Sequence, residues 1–128
     1  MEIWHCSLGT EPHASMLESL KQAGLHSQHG ESFNCRGPGI VFFEESSDQL
    51  LDLLRETSRR GLERVLAISL SRRAIEPDAS WDLLAAGAAD VFAWDRCQNA
   101  AQEISARFQR WEQVDEVVSS PLVKENLV

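Results

Sequence analysis

Two arginine pairs, Arg59-Arg60 and Arg72-Arg73, are the residues whose type and spacing most directly suggest chemistry. Paired guanidinium groups hold phosphate oxygens through bidentate hydrogen bonds, so either pair could bind an anionic ligand such as a cyclic dinucleotide. Basic residues are also common in the last turn of a helix, where they are simply solvated charge. The sequence leaves both interpretations open.

The histidines and cysteines do not form a recognisable metal or redox motif. The residues concerned are His5, His13, His26, His29, Cys6, Cys35 and Cys97. The histidines have no carboxylate or cysteine partners at metal-ligand spacing, and the odd, widely spaced cysteines fit neither a zinc site nor a disulfide framework. A glycine-rich phosphate loop and a nucleophile–base pair are missing too. We therefore predict no metal, no cofactor and no enzymatic activity.

Length and charge narrow the class of protein further. The 128 residues fit one domain, and the net charge of −8 argues against direct binding to nucleic acid. Apolar runs are far shorter than the ~20 residues that span a bilayer, and the N-terminus does not resemble a secretory signal. We expect a cytoplasmic protein without membrane contact.

Short apolar runs predict five strands. They are Ile3–Leu8, an edge strand within Leu25–Phe33, Ile40–Phe43, Val65–Ile68 and Val91–Trp94. Helical patterns lie between them: one starts near Pro12, and one is capped by Ser46 or Ser47 and ends at Arg59-Arg60-Gly61. A third is capped by Asp78 or Ser80, with an apolar stripe at Trp81, Leu84, Ala85 and Ala88, and a long one runs from about Asp95 to Ser119.

Strands that alternate with helices predict an α/β fold, a doubly wound five-stranded parallel sheet of the flavodoxin/CheY-like type, in the order 2-1-3-4-5, with an extended C-terminal helix. In such folds ligands bind at the carboxyl ends of the strands. We therefore look for the site just after the first strand, Phe43, Ile68 and Trp94.

Three strings carry a family resemblance. LLAAGAADVFAW, from Leu83 to Trp94, resembles the receiver-domain pattern in which a helix ends in Gly-Ala-Asp-Asp before the fifth strand. PGIVFFEES and RVLAIS resemble the third and fourth receiver strands. Residues 1–110 thus resemble a CheY-like receiver domain, the phosphorylation switch of response regulators.

The resemblance implies site residues one by one. The phospho-acceptor aspartate falls on Glu44, or on Glu45 if the register slips by one. The switch positions fall on Ser69 and Val91, and the lysine falls on Trp94, whose bulk would fill the emptied pocket. The paired acids that hold Mg²⁺ fall among Cys6, Ser7 and Leu8, none of which is acidic. Ordinary acceptor chemistry is therefore expected to fail, and Glu44 either imitates the phosphorylated state or is a solvated acidic residue.

The end of the chain carries a second resemblance. Ile104, Phe108, Trp111 and Val118 have heptad-compatible spacing, interrupted by Asp115, which is typical of a linker or dimer helix. The final SSPLVKENLV is similar to the start of the AAA+ domain in sigma-54-dependent activators. Residues 111–128 would then be a linker and junction, and the chain the regulatory part of a homodimeric activator with attached ATPase and DNA-binding domains. A ligand-sensing domain that binds a small molecule or cyclic dinucleotide is the alternative.

Overall fold

The computed structural model describes residues 1–31 and 35–118. The strands within them are β1 Glu2–Leu8, β2 His26–His29, β3 Gly39–Phe43, β4 Val65–Ser69 and β5 Asp90–Ala93. The α-helices within them are α1 Ala14–Gln22, α2 Asp48–Thr57, α3 Pro77–Ala85 and α4 Ala100–Val118, and a short 3₁₀ helix covers Trp94–Arg96. All strand pairs are parallel, in the order β2-β1-β3-β4-β5, which confirms the predicted fold.

The sheet is covered on both faces by apolar side chains. Ile40 and Phe42 of β3 pack against residues of α1 and α4, whereas Val41 and Phe43 pack against residues of α2 and α3. All residues of β3 and β4 are buried, as their uninterrupted apolar runs predicted.

The connection from β2 to β3 departs from the predicted alternation. Residues 30–38 join the two strands, and their described part contains no α-helix. Nine residues that include Gly37-Pro38 are too few for a helix with a turn at each end. Instead Trp4 of β1 covers Gly39, and its Nε1 atom donates a hydrogen bond to the Gly37 carbonyl oxygen at 2.9 Å. The predicted edge strand is confined to β2, and Phe33 lies outside the described residues.

Helix α2 begins at a predicted cap but ends before the arginines. The Ser47 Oγ atom accepts a hydrogen bond from the Leu50 amide at 3.2 Å. Arg59 and Arg60 do not lie in the last helical turn, because the helix ends at Thr57 and both adopt left-handed conformations, with φ of 51° and 57°. Such values are rare for residues with a Cβ atom.

The prediction for α3 is wrong in its cap and in its buried face. Pro77 occupies the first turn and Glu76 is the N-cap, so neither Asp78 nor Ser80 caps the helix. Leu83 is the buried residue, whereas Trp81 is 70% exposed. The segment from Trp81 to Ala86 is apolar almost throughout, so periodicity alone could not identify the inner face.

The last helix also differs from its predicted bounds. It begins at Ala100 rather than near Asp95, because the 3₁₀ helix and a turn intervene. Ile104 and Phe108 are completely buried in the core of this chain, which corrects their assignment to a dimer surface. Ser119 and the SSPLVKENLV segment lie outside the described residues.

Candidate functional site

The carboxyl ends of four strands are level with one another. Leu8 pairs with Phe43, Phe43 with Ser69, and Ser69 with Ala93. The residues that follow this row therefore meet at one edge of the sheet. They line a cavity of about 510 Å³, which we call the strand-end cleft; its walls are Thr10, Glu11 and His13 after β1, Glu44 after β3, Leu70–Arg73 after β4, Trp94 and Asp95 after β5, and Met16 of α1.

Glu44, rather than Glu45, lines the strand-end cleft. Its side chain is exposed, and its Oε2 atom accepts a hydrogen bond from the Thr10 hydroxyl at 2.6 Å. Thr10 and Glu11 were not predicted as site residues. They follow Gly9, whose φ of 93° turns the chain back towards β3 after β1 ends. Two polar residues directly after a strand and a glycine were the signal in the sequence.

Ser69 supports the neighbouring loop and does not line the cleft. It is buried, and its Oγ atom accepts a hydrogen bond from the Ser71 amide at 3.2 Å. The Ser71 hydroxyl oxygen in turn accepts one from the Arg73 amide at 3.1 Å. These two turns fix the backbone of the loop that carries Arg72 and Arg73.

The two arginine pairs lie at opposite ends of the sheet. Arg72 and Arg73 are exposed and line the strand-end cleft with Glu44. Arg59 and Arg60 precede the amino end of β4, and the Arg59 side chain lies 3.6 Å from the carboxylate of Glu63. Of the two pairs, only Arg72 and Arg73 therefore lie in the same cavity as other predicted site residues.

The remaining switch position, Val91, and the lysine position, Trp94, pack on different faces of the sheet. Trp94 is half-buried, packs against the core on the α1 and α4 face, and lines the strand-end cleft. Val91 packs on the opposite face, beside residues of α2 and α3. Only Trp94 can therefore contact a molecule in the cleft.

The described residues do not offer a metal centre. Among them no group of three or more histidine, cysteine, aspartate or glutamate side chains is placed to hold a metal ion. Glu11, Glu44 and Asp95 share the strand-end cleft without forming such a group. Cys6, at one of the positions implied for the magnesium ligands, is buried beneath α2 and α3.

A buried histidine and two buried thiols lie outside the cleft. The ring of His5 is 5.6 Å from that of His29, edge to face, and its Nδ1 atom has no hydrogen-bond partner among the described residues. Burial, followed by the nearby His29, lowers the pKa of His5, whereas Glu11 opposes the shift. Burial also raises the pKa of Cys6 to about 12 and raises that of Cys35, whose thiol donates to the Glu31 carbonyl oxygen.

The second candidate site is the free end of α4, at the amino end of the sheet. Phe108 is the last buried residue of the helix, and residues 112–118 are all exposed. Val114, Val117 and Val118 present apolar side chains there, as does Leu62, which is 78% exposed. Together with Trp111 these residues form what we call the helix-end surface. Trp111 and Val118 were predicted to lie on it; Val114 and Val117 were missed.

Trp111 anchors the helix-end surface to the domain. Its ring packs edge to face on Phe108 at 5.4 Å, and the Arg64 guanidinium lies 6.0 Å from its centre. Arg64 also forms an ion pair with Asp115 at 3.0 Å. Asp115 is therefore turned towards the domain and does not interrupt the apolar stripe. A largely apolar cavity of about 370 Å³ lies between Leu62, Met1 and Trp111.

Comparisons with protein-family models, with curated proteins and with solved structures found no match to this chain. No helix among the described residues combines the length and the apolar character needed to cross a bilayer.

Proposed function

We propose that this chain is a non-catalytic regulatory domain of the receiver type, which acts on an attached sigma-54-dependent ATPase through dimerisation rather than through phosphorylation. The observation that carries the proposal is the last part of α4, where the apolar side chains of Val114, Val117 and Val118 are exposed and no described residue covers them. The receiver-like strings of the sequence and the receiver-like strand order support the class of domain. A cytoplasmic location and DNA-binding domains in the same protein belong to this proposal.

The exposed half of α4 calls for a partner on energetic grounds. Short isolated helices are only marginally stable in water, and residues 112–118 are all exposed, with the ion pair between Asp115 and Arg64 as a tie to their own domain. Val114, Val117 and Val118 would each lose apolar surface to a neighbouring helix, at about 25 cal/mol per Å². Burial of this stripe between two chains would stabilise both helices.

A second copy of the chain fits this stripe better than an unrelated partner does. Trp111, Val114 and Val118 have the 3-4 spacing of a coiled-coil seam. In a parallel pair Arg110 would flank the seam on one helix, opposite Asp115 on the other, and Asp115 would have to exchange its exposed ion pair with Arg64 for one with this arginine. The pair would orient the two domains side by side, with both chains continuing in the same direction.

The strand-end cleft supports the second half of the proposal. By the receiver resemblance Trp94 stands where a lysine would steady a phosphoryl group, and among the described residues no three or more histidine, cysteine, aspartate or glutamate side chains are placed to hold a metal ion. We expect no modification of Glu44 by acetyl phosphate with Mg²⁺ and no saturable binding of beryllofluoride, followed by mass spectrometry and by calorimetry. A phosphorylated Glu44, or magnesium-dependent binding of beryllofluoride, would contradict this half of the proposal and indicate that the domain is a phosphorylation switch.

Analytical ultracentrifugation of this chain tests the dimer. We expect a reversible dimer whose dissociation constant rises at least about tenfold in Val114→Asp, because a charge is placed in the seam. Gln113→Asp, an exposed change on another side of the same helix, is the matched control and should leave the dimer unchanged. A monomer at all concentrations up to about 1 mM would refute dimerisation through this surface.

A further inference from the structure

The strand-end cleft has the properties of a ligand site, and this holds whether or not Glu44 can be phosphorylated. It is a concave cavity of about 510 Å³, within the size range of small-molecule sites. It opens at the carboxyl ends of the strands, beside the switch in strand order between β1 and β3, where doubly wound folds bind their ligands.

The cleft contains opposite charges that do not neutralise each other. Arg72 and Arg73 come from the loop after β4, and the carboxylates of Glu11, Glu44 and Asp95 come from the loops after β1, β3 and β5. Among the described residues neither arginine forms an ion pair with a carboxylate within 4.0 Å, although all five line one cavity. Both signs of charge therefore line the same cavity without pairing with each other.

This distribution disfavours ligands of a single charge. A simple anion that reaches the arginines also meets three carboxylates, and a simple cation meets two guanidinium groups. A small molecule that carries both charges satisfies each wall at once. Guanidinium groups hold a carboxylate through paired hydrogen bonds, and an ammonium group offers three donors to carboxylate oxygens.

The remaining walls indicate the rest of the ligand. Met16, Leu70 and Trp94 line the cleft and pack against the core on the α1 and α4 face. These side chains favour an apolar group, because its burial removes apolar surface from water on both sides. A short aliphatic or aromatic side chain between an ammonium and a carboxylate group meets all these conditions.

We propose that the strand-end cleft binds a free α-amino acid with an apolar side chain, its carboxylate on Arg72 and Arg73 and its ammonium group towards Glu44, Glu11 and Asp95. The site lies at the carboxyl end of the sheet and the helix-end surface at the amino end. The two sites share no residues and are tested by different measurements, so each proposal can fail without the other.

Calorimetric titration of the whole chain with L-leucine, L-methionine and L-phenylalanine tests the site. At least one should bind saturably. Isocaproate, which lacks the ammonium group of leucine, and isoamylamine, which lacks its carboxylate, should bind at least about tenfold more weakly than leucine. Inorganic phosphate should not compete.

Variants assign the binding to the cleft. The double change Arg72→Gln with Arg73→Gln should weaken binding at least about tenfold, and Glu44→Gln should weaken it less, because Glu11 and Asp95 remain. Arg55→Gln, an exposed arginine on α2, is the matched control and should have no effect. The proposal is overturned if none of the three amino acids binds, if isocaproate or phosphate binds as tightly as they do, or if the double change has no effect.

Discussion

The indole ring of Trp4 lies directly against Gly39, the first residue of β3, and is fixed there by the hydrogen bond from its Nε1 atom to the Gly37 carbonyl oxygen. An added Cβ atom at position 39 would overlap the six-membered part of that ring. The described part of the β2–β3 connection contains no helix, and the Trp4 ring covers the sheet there instead. The packing of the Trp4 ring on Gly39 thus takes the place that a helix would have on this part of the sheet.

Gly39→Ala should therefore destabilise the fold by about 1–3 kcal/mol, the usual cost of overpacking a core. Urea unfolding followed by circular dichroism measures the change. In a Trp4→Leu background, which is itself destabilised, the same glycine change should cost clearly less, because the overlapping ring atoms are gone. Equal costs in the two backgrounds would show that the Trp4 contact is not the cause.

The buried His5 should make stability depend on pH. Its pKa is lowered in the folded chain, so the unfolded chain binds the proton more readily and stability falls as the pH drops below about 6.5. His29 and Glu11 are the titratable groups that act on it, in opposite directions. His5→Phe should flatten the profile of unfolding free energy between pH 7.5 and pH 5.5, whereas His26→Gln, an exposed change on β2, should not. A His5→Phe profile as steep as that of the wild type would contradict this origin.

The thiols should differ in reactivity. With a pKa of about 12, Cys6 carries almost no thiolate near pH 8, and it is buried. Iodoacetamide should therefore modify Cys97, which is partly exposed, well before Cys6 in the folded chain, and both alike in urea. Peptide mass spectrometry over time gives the two rates. If Cys6 were modified as fast as Cys97 under native conditions, this prediction would be wrong, and the result would indicate that β1 opens readily.

The sequence predicted the centre of the sheet better than its periphery. Ile40–Phe43 and Val65–Ile68 are apolar without interruption, and such runs are typical of strands covered on both faces. The buried face of α3 was not predictable, because Trp81 and Leu83 are both apolar and only packing decides between them. The role of Trp4 depends on Gly37 and Gly39, more than thirty residues away in the chain.

For the candidate sites, too, the sequence predicted the residues at the strand ends but not those whose position depends on a turn or on helix packing. Glu44 and Trp94 were predicted at one site because parallel strands end at one edge, whereas the structure adds Arg72 and Arg73 to that site. Thr10 and Glu11 were missed because a turn at Gly9 brings them back to the cleft. Heptad spacing on α4 was real, but Ile104 and Phe108 use it to pack on their own domain, and spacing does not reveal which neighbour a helix has.

The burial of Phe108 has a mechanical consequence. It is the last buried residue of a 19-residue helix, so ten residues, or about 15 Å at 1.5 Å per residue, extend beyond it, where Trp111 and Asp115 make partly exposed contacts with Arg64. A tilt of the helix by about 10° about Phe108 displaces its tip sideways by about 2.5 Å, because the segment beyond it is about 15 Å long. Small changes in how α4 packs on the sheet therefore become larger displacements at its far end.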